Sequence, residues 1–333
     1  MTTLLETRYR TVLRLLPAYY RRAREEEMVE VYLWDVDRDT QDQSRPRLGE
    51  VASVAALALR SRLAATGAPR PYALLGSAVR HFALFAVLLQ AAAAVVDRVL
   101  GLTWASTHGA SDWDMFLSGF TGHGPLIGGV EIAEWTLPLL WTVGFFALLR
   151  DRRRLARASV LLAALPTLWP FVGPLVSELV PPEPWFATAT ALFAWLPALA
   201  LCAAYHRDAP EATLPVGSPG LVFAACSVVM GASVVVLPAM PDAVWAPATC
   251  FVVGALGWLL MRDRRTDQSA ACGAVALAAL GLLLLAVRVA ALYPWLGVPV
   301  PASFIGGALG QAAALTLLTV VLAVVARRDL AAR

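Results

Sequence analysis

Lysine is absent from this chain of 333 residues, and all 27 basic residues are arginine. A GC-rich genome accounts for that bias, and for the load of Ala, Pro and Gly, without invoking a function. Cysteine is scarce. Cys202, Cys226, Cys250 and Cys272 fall inside or at the edge of apolar runs, with no C-x-x-C spacing among them. That pattern supports neither a disulfide framework nor a cysteine zinc site, and reads as small buried hydrophobes. No G-x-S-x-G, Walker A or H-E-x-x-H sequence occurs, so no run of residues spells a reaction. The expectation is a protein that is not an enzyme and carries no cofactor. The first residues, Met1 to Arg14, are charged and amphipathic and lack a compact apolar stretch followed by a small-residue cleavage site. Insertion is then expected to be directed by the first spanning helix.

Long apolar runs are what the chain has in excess. Hydrophobic residues make up 59% of it and the mean hydropathy is +0.65, against about half apolar in soluble domains. The excess is concentrated in runs of about 20 residues, the length that crosses a hydrocarbon core of about 30 Å. Eight runs qualify: 81–101, 126–149, 157–179, 185–205, 219–240, 243–261, 270–290 and 303–326. The shortest, 243–261, contains Pro247. With eight spans, both termini lie on one side of the membrane. The segments 1–80, 150–157, 206–218, 262–269 and 327–333 then share that side and hold 25 of the 27 Arg, leaving only Arg98 and Arg288 elsewhere. The positive-inside rule assigns that side to the cytosol, and the expected location is the cell (plasma) membrane. Asp97, Asp112, Asp114, Glu131, Glu134, Glu178, Glu183 and Asp242 map to the other side.

Ahead of the spans lies a charged stretch, read as a cytoplasmic domain over 1–70, with the transmembrane domain over 71–333. Leu4, Leu5, Tyr9, Val12, Leu13 and Leu16 fall near one helical face. Pro17 is placed to open a second helix over 18–35, where Arg21 with Glu25 and Arg22 with Glu26 are i,i+4 pairs. Residues 36–46 read as a loop. A third helix over 48–65 uses Leu48, Val51, Ala55, Ala58, Leu59 and Leu63. Glu25 to Glu27 dilute the basic charge, so direct nucleic-acid binding is not expected.

The segments Leu15-Leu16-Pro17-Ala18-Tyr19-Tyr20-Arg21-Arg22, Glu25-Glu26-Glu27-Met28-Val29, Arg45-Pro46-Arg47-Leu48-Gly49-Glu50 and Leu59-Arg60-Ser61-Arg62-Leu63 carry a resemblance. Together they are similar to the N-terminal helical prefixes of actinobacterial membrane proteins, of the HTH-associated α-helical signalling (HAAS) or permease-prefix type. The resemblance implies a helical domain that relays a signal to a PadR-like transcription regulator, or one that precedes a transporter permease. Arg21, Arg22, Glu26 and Met28 are the candidate partner surface.

Two stretches of the spanning part read alike. Phe145 to Arg153 parallels Gly257 to Arg265, and Leu168 to Pro174 parallels Leu292 to Val298, which points to two four-helix units in one orientation. Ionisable residues at membrane depth are functional candidates, and Glu131, Glu134 and Arg288 share a depth that suits an outward cavity or ion pair. Gln90 and Gln311 read as interhelical hydrogen-bond partners, and Gly306 with Gly310 as a close-packing G-x-x-x-G. The stretch 102–125 reads as the longest outer loop. Its His108, Asp112, Asp114 and His123 are the candidate metal ligands.

The expected fold is therefore all-α: a polytopic membrane helix bundle of about eight spans, N-in and C-in, with a small three-helix cytoplasmic domain. The expected function is signalling from a membrane or extracytoplasmic stimulus through the head to a cytoplasmic regulator. The alternative is a transporter or permease subunit with an outward-facing acidic cavity. The expected partners are the lipid bilayer, a PadR-like regulator or an ATPase, and a second copy of the chain. Protease added to intact spheroplasts should leave the Glu25–Asp42 region uncut and should cleave it once the membrane is opened. Cleavage in intact spheroplasts would invert the topology.

Overall fold

A computed structural model describes residues 3–34, 45–63, 68–121, 124–176, 183–206, 209–214, 217–236, 244–261, 268–296, 299 and 301–331. Among them there are helices and no strands. The chain divides into two compact units, one of residues 1–79 with 203–210, the other of residues 80–202 with 211–333.

The first unit is built on three short helices. In α1 (Leu4–Leu13) the Thr3 side chain caps the first turn by accepting from the Glu6 amide at 3.3 Å. Pro17 cannot continue that helix. Its carbonyl instead accepts from Tyr20 and Arg21 at the start of α2 (Ala18–Trp34). At the head of α3 (Leu48–Arg62) the Glu50 carboxylate reaches back to the Arg47 amide at 2.7 Å and takes the Tyr32 hydroxyl at 3.0 Å. Leu5, Tyr9, Leu13, Leu16, Val29, Val54, Ala58 and Leu63 are buried. The Tyr9 and Tyr32 rings stack at 3.9 Å, and the Tyr19 hydroxyl donates to the Ser61 carbonyl at 2.6 Å.

Two local expectations are overturned. Of the residues expected on the inner face of the third helix, Ala58 and Leu63 are buried, but Leu48 is 88% exposed and Leu59 is also exposed, while Val54 and Ser61 are buried instead. Among the described residues the pairs Arg21–Glu25 and Arg22–Glu26 do not form. Arg10 of α1 takes Glu26 with both terminal nitrogens at 2.8 Å, takes Glu6 at 3.0 Å and lies 3.6 Å from Glu25. The planar Arg10 guanidinium engages the two Glu26 oxygens through two parallel bonds while it also holds its own helical neighbour Glu6.

The second unit holds the apolar helices. Its part of α4 (Arg70–Thr107) begins at Arg80; at 38 residues that helix is about 57 Å long, well beyond the hydrocarbon thickness. Gly109, with φ of 110°, turns the chain into α5 (Ala110–Thr121). Here the expected long outer loop is helical, because nothing between 102 and 108 breaks the helix. α6 (Gly124–Thr136) runs through a 3₁₀ turn at Leu137–Leu139 into α7 (Leu140–Leu149). α8 (Arg153–Ala164) does the same through Leu165–Leu168 into α9 (Trp169–Val176). α10 (Pro184–Ala204), α11 (Pro219–Val236), α12 (Trp245–Met261), α13 (Gln268–Leu292) and α14 (Ala302–Ala331) follow.

Among the described residues, seven candidate spans are long and apolar enough to cross a membrane: Arg70–Thr107, Gly128–Leu149, Arg153–Leu175, Pro184–Ala204, Pro219–Val236, Ala270–Trp295 and Ala302–Ala331. The protein is thus a multi-pass, membrane-embedded helical protein. The eighth expected run is α12, a shorter apolar helix of 17 residues. Exposed Leu221, Val228, Leu260, Leu282 and Leu317 lie along these helices, as side chains facing lipid do.

The turn between α7 and α8 is short. Asp151 sits at φ 55°, where glycine is usual, while the Arg152 amide bonds the Ala147 carbonyl at 2.8 Å and the Asp151 amide bonds Leu148 at 3.1 Å. Gly144 makes the α7–α8 contact close, since a Cβ there would stand 2.5 Å from Val160 Cγ2. Between α13 and α14 the close approach is at Gly281, where a Cβ would stand 2.4 Å from Thr319 Oγ1. A Cβ on Gly306 or Gly310 would meet nothing within 4 Å, so the G-x-x-x-G is not a packing face here. Of the two parallel stretches, Leu168–Trp169 leads into an α-helix while Leu292–Tyr293 leads into a 3₁₀ turn. Residues 262–265 of the other parallel lie outside the described residues.

Tyr9 and Tyr32 make the first unit alkali-labile. Burial first, and then the nearby Glu50 carboxylate, raises the Tyr9 hydroxyl above its ordinary 10.0. Burial and the bond to Glu50 push Tyr32 up to about 12. A raised folded pKa means the neutral phenol is favoured, so this stability is complete below about pH 10 and is lost as pH rises toward 12. Tyrosinate absorbance, with pulse proteolysis of α1–α3, should show late ionisation coinciding with exposure. Tyr32→Phe should weaken that alkaline step.

Candidate functional site

Proline decides where the spans of the second unit bend. A proline has no N–H, so the carbonyl four residues earlier loses its donor. In lipid no water replaces that donor, and the orphan must be met from within the protein. Pro138 orphans the Glu134 carbonyl. Arg98 of α4 answers it, donating from Nη2 to Glu134 at 2.6 Å and from Nε to the Trp135 carbonyl at 2.9 Å. Its remaining terminal nitrogen bonds Asp97. Pro197, inside α10, orphans the Phe193 carbonyl. Gln90, two turns before Arg98 on α4, donates to that carbonyl at 3.0 Å. Helix α4 thus carries the donors that two broken helices need.

The second unit holds a cavity of about 600 Å³, lined by Pro138, Pro166 and Pro247 and by the aromatic side chains of Trp141, Phe186 and Phe193. Gln90, Thr167 and Thr190 supply its few polar atoms, and Asp97 with Arg98 marks one end. The Thr167 and Thr190 hydroxyls are spent on carbonyls of their own chain segments, Ala164 and Phe186. The volume and mostly apolar lining are those of a small-molecule site.

The sequence-derived site residues are placed as follows. Glu131 and Glu134 lie on α6, half-buried, and Glu134 has Glu131 and Arg98 as its charged neighbours. Arg288 is fully buried in α13, with its guanidinium carbon 5.7 Å from the centre of the Trp245 ring. Among the described residues no ion pair joins it to Glu131 or Glu134; the cation facing Glu134 is Arg98. His108 stacks on Trp104 at 3.6 Å, with Nδ1 3.1 Å from the Trp104 carbonyl. Asp112 and Asp114 are on α5, and His123 lies outside the described residues. Among the described residues no group of three His, Cys, Asp or Glu is placed to hold a metal. In the first unit Arg22 is exposed, Arg21 and Met28 are half-buried, Met28 packs against the core, and Glu26 is taken by Arg10. Glu178, Asp242 and the Asp-rich stretch 35–44 lie outside the described residues.

Sequence reasoning expected a cavity lined by Glu131, Glu134 and Arg288, and none of the three lines this one; its signal in the sequence was prolines inside apolar runs, with a lone Gln or Arg in a neighbouring run. Gln311 behaves as expected, bonding the Trp245 carbonyl at 3.0 Å and Thr249 Oγ1 at 2.9 Å. Cys226 of α11 packs against the buried cluster that contains Cys250 of α12. Comparisons with protein-family models, with curated proteins and with solved structures find no match for this chain.

If Gln90 serves the carbonyl orphaned by Pro197, the two positions are coupled. Gln90→Leu should lower stability in a lipid bilayer by about 1–2 kcal/mol. The same change in a Pro197→Ala background should cost clearly less, because the substituted alanine brings its own N–H. A thermal-unfolding double-mutant cycle in nanodiscs measures the difference. Equal costs in both backgrounds would show that Gln90 acts elsewhere.

Proposed function

We propose that this protein is a plasma-membrane relay. In this reading a ligand held in the cavity of the spanning unit alters the N-terminal unit, and that unit docks a cytoplasmic regulator of the PadR-like class. The observation that carries the reading is the pairing, in one chain, of a self-cored helical unit with a spanning unit that encloses a ligand-sized cavity. Residues 70–79 of α4 belong to the first unit and the rest of α4 to the second. The helix that supplies Gln90 and Arg98 therefore also contributes to the head. In the same reading both termini face the cytosol. The arginines support that assignment: Arg153 and Arg154 occupy the first turn of α8, where the helix dipole disfavours positive charge, so a topological cause fits them better than a helical one.

The second reading, a transporter or permease subunit, is favoured by the cavity and its charged end. Two experiments separate them. Removal of residues 1–66 from the full chain should leave membrane insertion intact and abolish copurification of the regulator. Proteoliposomes of the full chain should show no solute flux attributable to the protein. Retained regulator binding after the deletion, or flux altered by Glu131→Gln, would sink the relay.

A further inference from the structure

We infer that the α7–α8 hairpin binds one anionic phospholipid, a phosphodiester lipid whose head group brings no cation of its own. The inference stands apart from the relay reading and from the larger cavity. A groove of about 440 Å³ runs along the hairpin, with Val143, Phe146 and Leu155 as its apolar wall and with Arg150 and Arg152 in its lining. Val143 and Leu155 are exposed. Val143 precedes Arg150 by about two helical turns, or about 10 Å. Both helices belong to candidate spans, Gly128–Leu149 and Arg153–Leu175. The wall therefore lies within the apolar runs and the two guanidiniums at their edge, which is how an acyl chain and its head group are disposed in a leaflet.

Charge accounting selects an anionic head group. Asp151 is the one carboxylate in the sequence between Glu134 and Glu178, and it takes the Arg153 Nε at 2.6 Å. Among the described residues, Arg150 and Arg152 join no ion pair and donate no side-chain hydrogen bond. The hydroxyl of Thr142, the other polar side chain of the groove, donates to the Ala91 carbonyl at 3.4 Å. The guanidiniums are thus the groups of the groove with donors left to give, and a phosphate accepts such forks through parallel bonds. Basic pockets between spanning helices take anionic head groups for this reason. A zwitterionic lipid would bring an ammonium group toward the same two cations. A soluble phosphate would meet the arginines but leave Val143, Phe146 and Leu155 uncovered.

Phosphatidylglycerol and phosphatidylcholine of identical chains test this, because they differ in head-group charge alone. Native mass spectrometry of the detergent-solubilised full chain, titrated with each lipid, should show the first phosphatidylglycerol binding about fivefold tighter, or more, than the first phosphatidylcholine. Arg150→Gln with Arg152→Gln should remove that preference. Arg327→Gln with Arg328→Gln, which takes the same charge from the exposed end of α14, should leave it intact. Where the first double variant does not fold, Arg152→Gln alone decides, with a loss of about twofold or more expected. Equal binding of the two lipids, or an equal loss of preference in the two double variants, would overturn the inference. Displacement of phosphatidylglycerol by excess inorganic phosphate would assign the groove to a soluble anion and overturn it as well.

Discussion

A carbonyl that loses its donor inside a lipid-facing helix must find another, and much of the spanning unit follows from that requirement. Pro138 and Pro197 each create such an orphan, and α4 supplies both replacements through Arg98 and Gln90. The requirement explains why a long cationic side chain and a primary amide stand in an otherwise apolar helix, two turns apart. Neither is free to reach a ligand through those donors. Both are spent on the fold, and what remains of the cavity lining is mostly apolar.

The cavity is the geometric counterpart of those breaks. Straight helices of this composition pack along small-residue stripes, as α13 and α14 do at Gly281. The space between α4, α7, α8 and α10 is not filled by neighbouring side chains. Filling it would require large residues where Ala93, Ala94, Ala163 and Ala194 stand. The chain keeps alanine there, so the void is built from small side chains as well as from bends.

The spans were legible because hydrocarbon thickness imposes a length that apolar runs must meet. Registers were less legible. In α3 the inward face carries Val54, Ala58 and Ser61 while Leu48 stays exposed. The Glu25 and Glu26 pairs were misassigned because helical spacing speaks only of neighbours within a helix, whereas the Arg10 fork reaches across two. The stretch after residue 102 was read as a loop from its glycines and polar residues. Thr103 and Thr107 instead return their hydroxyls to carbonyls one turn back, which lets polar side chains ride on a continuing helix. The cavity was hidden for a different reason. It arises from the meeting of breaks in separate helices, and no single run of sequence contains it.

Charge and cavity occupy opposite ends of the same helices. Pro138 and Arg150 are separated by about 12 residues along the α6–α7 span, about 18 Å, and Pro166 lies a similar distance from Arg153 along α8. The arginine-rich turn at 150–154 is therefore set well apart along both helices from the cavity-lining Pro138 and Pro166. The turn itself needs only Asp151 in its left-handed conformation and the bonds to Ala147 and Leu148; nothing in its backbone calls for arginine at every other position from 150 to 154.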